Sequence, residues 1–287
     1  MLRRALVVLF AISPAAFPTA SPAYDIKPKT PDTAFTVKLR PDILGISTDS
    51  SAESARTVFE QAFRGHLDAK TDIQQQKFGG GAVSYIAALN SSLPAGPKQN
   101  GEVLSSSFTS PASANRAYFI TRNLTFAADQ QPLKAEMIKQ VMDKYGVPTI
   151  VGDQHLYYFY RAGKIVSVGA KYKEATALEA IAKPLDPKTA IKLNAANGRG
   201  SCVAAVKRTQ AKDKTLSAML DDAKAANCDG ALSVQLTSGV ASDRVGNAQF
   251  TLLDFKRMIS AAAIDTDALA AEKNESSSLP KGSAPKL

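Results

Sequence analysis

The chain of 287 residues contains only two histidines and two cysteines. His66 and His155 stand alone, with no carboxylates at matching spacing, so the usual ligand set for zinc is missing. A cysteine–histidine nucleophile pair is equally unsupported, because neither Cys202 nor Cys228 lies in a C-x-x-C or a known nucleophile context. No metal and no cofactor is expected. Lys/Arg runs of five or more are absent, as is any basic stripe interleaved with aromatics, and nucleic-acid binding needs such a footprint. Past the first residues, no apolar run approaches the roughly 20 residues that span a bilayer. Gly79-Gly80-Gly81 lacks the Lys-Ser/Thr of a phosphate loop and reads as a flexible turn.

What is present begins with a leader. Arg3 and Arg4 precede an apolar run over residues 5–12; Pro14 and Pro18 break it, and Ser21-Pro22-Ala23 supplies small residues before a cut. This is the three-zone pattern of a cleavable bacterial signal peptide over residues 1–23, with cleavage near Ala23 or, alternatively, after Ala20. No cysteine lies near either cut, so lipidation is not expected. Loss of Arg3 and Arg4 takes the formal charge from +9 to +7, spread along the chain as a solvated basic surface. In the oxidising periplasmic or secreted space that the leader implies, Cys202 and Cys228 are expected to form one disulfide.

Pattern divides the remainder. Residues 24–41 are an extended, Pro-rich segment. Residues 42–173 read as two helix–hairpin units. In the first, Ser50 and Glu53 have capping-box spacing ahead of the stripe Ala55, Val58, Phe59, Ala62 and Phe63, and a strand follows at 82–89. In the second, a strand at 117–126 precedes the stripe Leu133, Met137, Ile138, Val141, Met142 and Tyr145, ended by Gly146. An aromatic strand at 155–160, a turn at 161–164 and a return strand at 165–168 complete it. Residues 174–200 form a polar, helix-leaning connector. Residues 201–273 form a disulfide-linked unit: strand 202–208, helix 215–226, strands 231–236 and 248–253, and a last helix from 254. Residues 274–287 read as a disordered tail. The expected fold class is α+β, with helices packed on one face of antiparallel sheets.

The segment 129–168 resembles the helix–hairpin unit of BamE/SmpA and beta-lactamase-inhibitor-like proteins, and also secreted alphaproteobacterial proteins. The resemblance is carried by Lys144-Tyr145-Gly146-Val147-Pro148, then Leu156-Tyr157-Tyr158-Phe159-Tyr160 and Gly163-Lys164; Asp42-Ile43-Leu44-Gly45-Ile46 looks like the opening of the same unit. BamE-like proteins usually carry a lipidated cysteine, which this chain lacks. The resemblance implies a non-enzymatic protein that binds other proteins through a sheet face.

Tyr158 and Tyr160 share one side of their strand and are the candidate contact for an envelope partner, if that side is open. Asp221-Asp222 read as the outer face of a helix; Asp265 and Asp267 lie near the last one. The expected function is that of an exported, non-catalytic protein-binding or structural module of the cell envelope. An envelope-assembly or lipid-associated factor is the first alternative. A hydrolase with a site assembled only in the fold is the second. Mass spectrometry of the protein from an envelope fraction is expected to find Tyr24 at the N-terminus, and the intact leader on cytosolic material would overturn the export reading.

Overall fold

A strand whose successive side chains are all large and apolar can be buried only between two layers, because alternate residues point to opposite sides. Leu156-Tyr157-Tyr158-Phe159-Tyr160 is such a strand, and all five residues are at most 2% exposed. The computed structural model describes residues 26–80, 83–151, 154–166, 202–211, 213–226 and 228–278. The leader, the whole 174–200 connector, the end of the return strand and residues 279–287 lie outside them.

The first part of the chain gives α1 (Ala52–Ala62), β1 (Lys70–Phe78), β2 (Val83–Leu93), β3 (Gly101–Phe108) and β4 (Ala117–Thr125). Then come α2 (Lys134–Tyr145), β5 (Ile150–Val151), β6 (His155–Arg161) and β7 (Lys164–Ile165). The last part gives α3 (Cys202–Ala211), α4 (Leu216–Ala225), β8 (Gly230–Ser238), β9 (Val245–Asp254) and α5 (Phe255–Ser278). The strands form one antiparallel sheet in the order β1-β2-β3-β4-β9-β8-β6-β5, with β7 paired to β6. Strands that follow α1, α2 and α4 therefore merge instead of standing as separate hairpin units. The seam is β4 against β9, in which Arg122 faces Phe250 and Asn123 faces Gln249.

Helices cover both faces, which corrects the expected one-sided packing. On one side, Leu89, Leu104, Ile120, Tyr158, Leu232 and Leu252 pack with α1, α2 and the segment from Ala34 to Ile46. On the other, Phe119, Tyr157, Phe159 and Leu253 pack with α3, α4 and the start of α5. These are called here the α1 face and the disulfide face. Tyr158 and Tyr160 point into the α1-face core, where Tyr160 meets Phe35 edge-on at 4.9 Å, so neither offers a contact surface.

Other expectations shift locally. The N-cap of α1 is Ser51, which accepts from Ser54 N–H, while the Ser50 hydroxyl accepts from Ser47 N–H. Residues 202–208, expected as a strand, are helical: Cys202, Val203, Ala205 and Val206 repeat at helical spacing and pack on the disulfide face. Asp222 is buried and pairs with Arg208 at 2.6 Å rather than facing water. Helix α5 runs to Ser278, into the segment read as a disordered tail. The expected disulfide joins Cys202 and Cys228, holding α3 beside the end of α4. By chain-entropy arithmetic a loop of this length is worth about 3–4 kcal/mol. No helix among the described residues is long and apolar enough to cross a membrane.

An ion network fastens the first described segment to the last helix. Asp254, fully buried, accepts from Ala34 N–H at 3.0 Å, from the Thr33 hydroxyl at 2.5 Å and from Arg257 N–H at 2.9 Å. The equally buried Arg257 guanidinium lies 3.4 Å from the Asp254 carboxylate and donates to Asp49, which also pairs with Arg40 at 2.6 Å. Removing one partner of a buried pair strands the other charge. Arg257→Ala is therefore expected to cost about 3–5 kcal/mol in denaturant unfolding, and Arg40→Ala, at the exposed end, about 1 kcal/mol or less. Equal effects would mean that the network has no buried centre.

Candidate functional site

Helix α2 is fixed at both ends, and the fixings create a groove beside it. At its start, Lys134 N–H donates to Asp243 C=O and Val245 N–H to Pro132 C=O, tying it to the β8–β9 turn. At its end, Gly146 adopts φ 84°, a conformation in which glycine is at ease, and its carbonyl accepts from the Tyr158 hydroxyl at 3.0 Å. The Tyr145 hydroxyl donates to Asp42 C=O at 2.8 Å, and Lys144 Nζ reaches the Asp42 carboxylate at 3.0 Å. Met137 and Val141 face the core.

Between this helix, the turn at 43–46 and the β4–β9 seam lies a hollow of about 190 Å³, lined by Leu44, Arg122, Gln140, Val141, Tyr145 and Phe250 among others. Arg122 is oriented by Glu102 at 2.7 Å. Burial works against the Lys144 ammonium, but Asp42 and Tyr145 outweigh it, so its pKa is raised and the group stays charged. The groove is an apolar floor with two paired cations at its edge.

Leu44 is its most unusual wall. Leu44 has φ 54° and Gly45 φ 82°, in a tight turn closed by reciprocal Ile43–Ile46 backbone hydrogen bonds. Asn and Gly are the residues suited to such turns, and a non-glycine residue held left-handed costs roughly 1–2 kcal/mol. A bulky aliphatic residue kept there faces the groove.

A second, polar cleft of about 90 Å³ lies on the disulfide face, among Tyr85, Ser110, Tyr118, Lys214 and Asp265. In it serine and carboxylate groups meet, as a hydrolase would need. Ser110 and Ser113 both donate to one Asp265 oxygen, at 2.6 and 2.7 Å. No histidine lines the cleft, and Lys214 is spent on the C=O groups of Thr209 and Gln210. The serines thus act as donors holding a half-buried carboxylate in place.

The other sequence candidates lie elsewhere. His155 stacks on Tyr157 and has a pKa lowered by burial and then by Lys207, while His66 is exposed. Gly80 N–H donates to Glu272 at 2.7 Å, so the glycine turn docks on α5. Among the described residues no group of three or more His, Cys, Asp or Glu is placed to hold a metal ion. Sequence reasoning missed Arg122, Gln140 and Phe250 as groove residues. It did single out Asp42-Ile43-Leu44-Gly45-Ile46 and the Lys144–Pro148 motif, the two segments that meet at the groove through Asp42.

Asp265 supplies a pH test. Burial raises its pKa, and the two serine bonds oppose this only in part. A carboxyl with a raised folded pKa favours the folded state below its unfolded value, and that contribution is lost as pH rises through the folded one. Asp265→Asn keeps an acceptor for the serines without the charge. The variant is expected to melt above the wild type at pH 7, with the difference shrinking toward pH 4; a gap independent of pH would exclude titration of Asp265 as its cause. No protein-family model, curated protein or solved structure matches this chain, so its function rests on the geometry of these sites.

Proposed function

We propose that the protein is an exported, non-catalytic protein-binding module of the cell envelope, and that the groove beside α2 receives one apolar side chain of its partner. The observation that carries this reading is the pairing of an apolar hollow with a strained Leu44 at its wall. Residues held in costly backbone conformations concentrate at functional sites. An apolar cavity of about 150 Å³ accommodates a benzene ring, whereas drug-sized ligands occupy roughly 300–1,000 Å³. A hollow of about 190 Å³ is thus matched to a single aromatic or branched aliphatic anchor, the usual centre of a protein interface. It is short for a lipid chain, which places the lipid-associated alternative second. The satisfied serines of the polar cleft speak against the hydrolase alternative. Export is supported by the leader pattern and agrees with the Cys202–Cys228 disulfide.

The site differs from the one first expected, since Tyr158 supports the end of α2 from beneath instead of meeting a partner. A photo-crosslinking residue at Gln140 is expected to trap a discrete protein adduct in living cells that the same residue at exposed Val240 does not. Leu44→Asn, which suits the turn, is expected to abolish the adduct while shifting Tm by no more than about 5 °C. Adducts that are identical from both positions, or that survive Leu44→Asn, would remove the groove as the contact.

A further inference from the structure

The register of the sheet assembles a second surface, which does not depend on the groove. On the disulfide face, helices α3 and α4 cover β6, β8 and β9, while the lower part of β1–β4 lies open among the described residues. There the strands line up rows of short neutral polar side chains. One row runs Asp72–Asn90–Ser105–Thr121 across four strands. The next runs Lys70–Ser92–Val103–Asn123–Gln249 across five. Their orientation follows from their neighbours: Leu89 and Leu104 point into the α1-face core, so Asn90 and Ser105 point the other way. A hollow of about 270 Å³ lies at the end of the second row, where Ser92, Val103 and Asn123 meet Leu93, Pro94 and Ala95.

Three features separate this face from an ordinary wet sheet surface. Asn is among the residues least favoured in strands, yet Asn90 and Asn123 both occupy strand interiors. Asn90, Ser105 and Asn123 are half-buried, and their side chains make no hydrogen bond within the described residues, so their donors and acceptors remain unspent. The two rows hold a single cation and a single anion, in a chain with 35 basic and 26 acidic residues.

That chemistry selects an occupant. Anionic headgroups and phosphates call for clustered Arg and Lys, which the rows lack. Protein interface cores are rich in Tyr, Trp, Phe, Met and Arg, and the rows hold none of these. A hydroxyl of a sugar both donates and accepts, and so does each Asn, Ser and Thr side chain. Strands spaced about 4.8 Å apart repeat these groups at a pitch close to one sugar residue. We propose that the open disulfide face of β1–β4 binds a neutral glycan chain laid across the strands, with Asn90, Ser105 and Asn123 as its hydrogen-bonding residues.

Isothermal titration of the mature chain with hexamers of glucose and of N-acetylglucosamine, and with a sulfated polysaccharide, tests this. Saturable binding of a neutral hexamer in the millimolar range or tighter is expected. The Asn90→Ala/Asn123→Ala variant is expected to weaken it at least about tenfold. Its Tm should be unchanged, because both side chains lie on the solvent side. Leu44→Asn is expected to leave glycan binding intact, so a failed groove and a failed sheet face give different results. No saturable binding of either neutral hexamer, binding undiminished in the double variant, or binding of the sulfated polymer alone would overturn the proposal.

Discussion

The pairing of β4 with β9 is the constraint on which the rest of the structure hangs. It joins strands from residues 117–125 and 245–254, and it makes one sheet of what the chain order would leave as two. Its consecutive residue pairs serve opposite faces. Phe250 lies in the floor of the groove beside α2, with Arg122 at its edge. Their neighbours Asn123 and Gln249 extend the polar row on the other side. A slip of one residue in this register would exchange the two faces, putting an arginine into the row and asparagine under α2. The apolar partners on either side forbid that slip: Ile120 faces Leu252 in one core, and Phe119 faces Leu253 in the other.

A seam between such distant segments needs something to hold the flanking layers, and the Asp254–Arg257 pair does this at the point where β9 becomes α5. Asp254 gathers the backbone of Ala34 and the hydroxyl of Thr33, and Arg257 reaches Asp49 just before α1. The α1-face layer and the disulfide-face layer are thereby fastened to the same few residues. Gly230 shows how close this approach is, because a Cβ there would lie 2.8 Å from the Ala34 Cβ and 2.9 Å from the Leu253 carbonyl oxygen. Burying ions so deeply is not an efficient source of stability compared with apolar packing. What it supplies here is a unique position for residues 26–51, which form no long strand or helix to fix them.

How much of this could be read from the sequence depended on the kind of signal. Strand β6, helix α2 and its glycine stop, and the disulfide were legible, because aromatic runs, helical stripes and paired cysteines are local. Strands β1 and β3 were not. Lys-Thr-Asp-Ile-Gln-Gln-Gln-Lys-Phe carries no alternation, since β1 lies at the sheet edge with only Ile73 and Phe78 facing apolar neighbours or burial. Gly-Glu-Val-Leu-Ser-Ser-Ser-Phe hides its pattern because Leu104 is flanked by Val103 and Ser105 of the polar rows, and the next residue on its own face, Ser106, is a buried serine. Helix α3 was misread because a short run of small apolar residues fits either period. The groove could not be foreseen from Arg122 or Phe250, which acquire meaning only by facing each other across the seam. Its local traces were the segments Asp42–Ile46, with leucine in a turn where asparagine would be easier, and Lys144–Pro148.

That leucine and the strand asparagines share a logic. Each is a residue that local preference would replace: Leu44 by Asn in the turn, Asn90 and Asn123 by β-branched residues in the strands. Exchanged in that way the fold would lose little, since Leu44 lies at the edge of its core and the asparagines face outward. Local rules broken without a gain in packing mark the places where a sequence answers to something other than its own stability. Here the departures fall on opposite faces of one sheet, separated by the thickness of a single backbone layer. A ligand seated in the groove and one laid across the rows would therefore not collide, and a protein anchored on one side could be held to a glycan on the other by the rigidity of the seam between them.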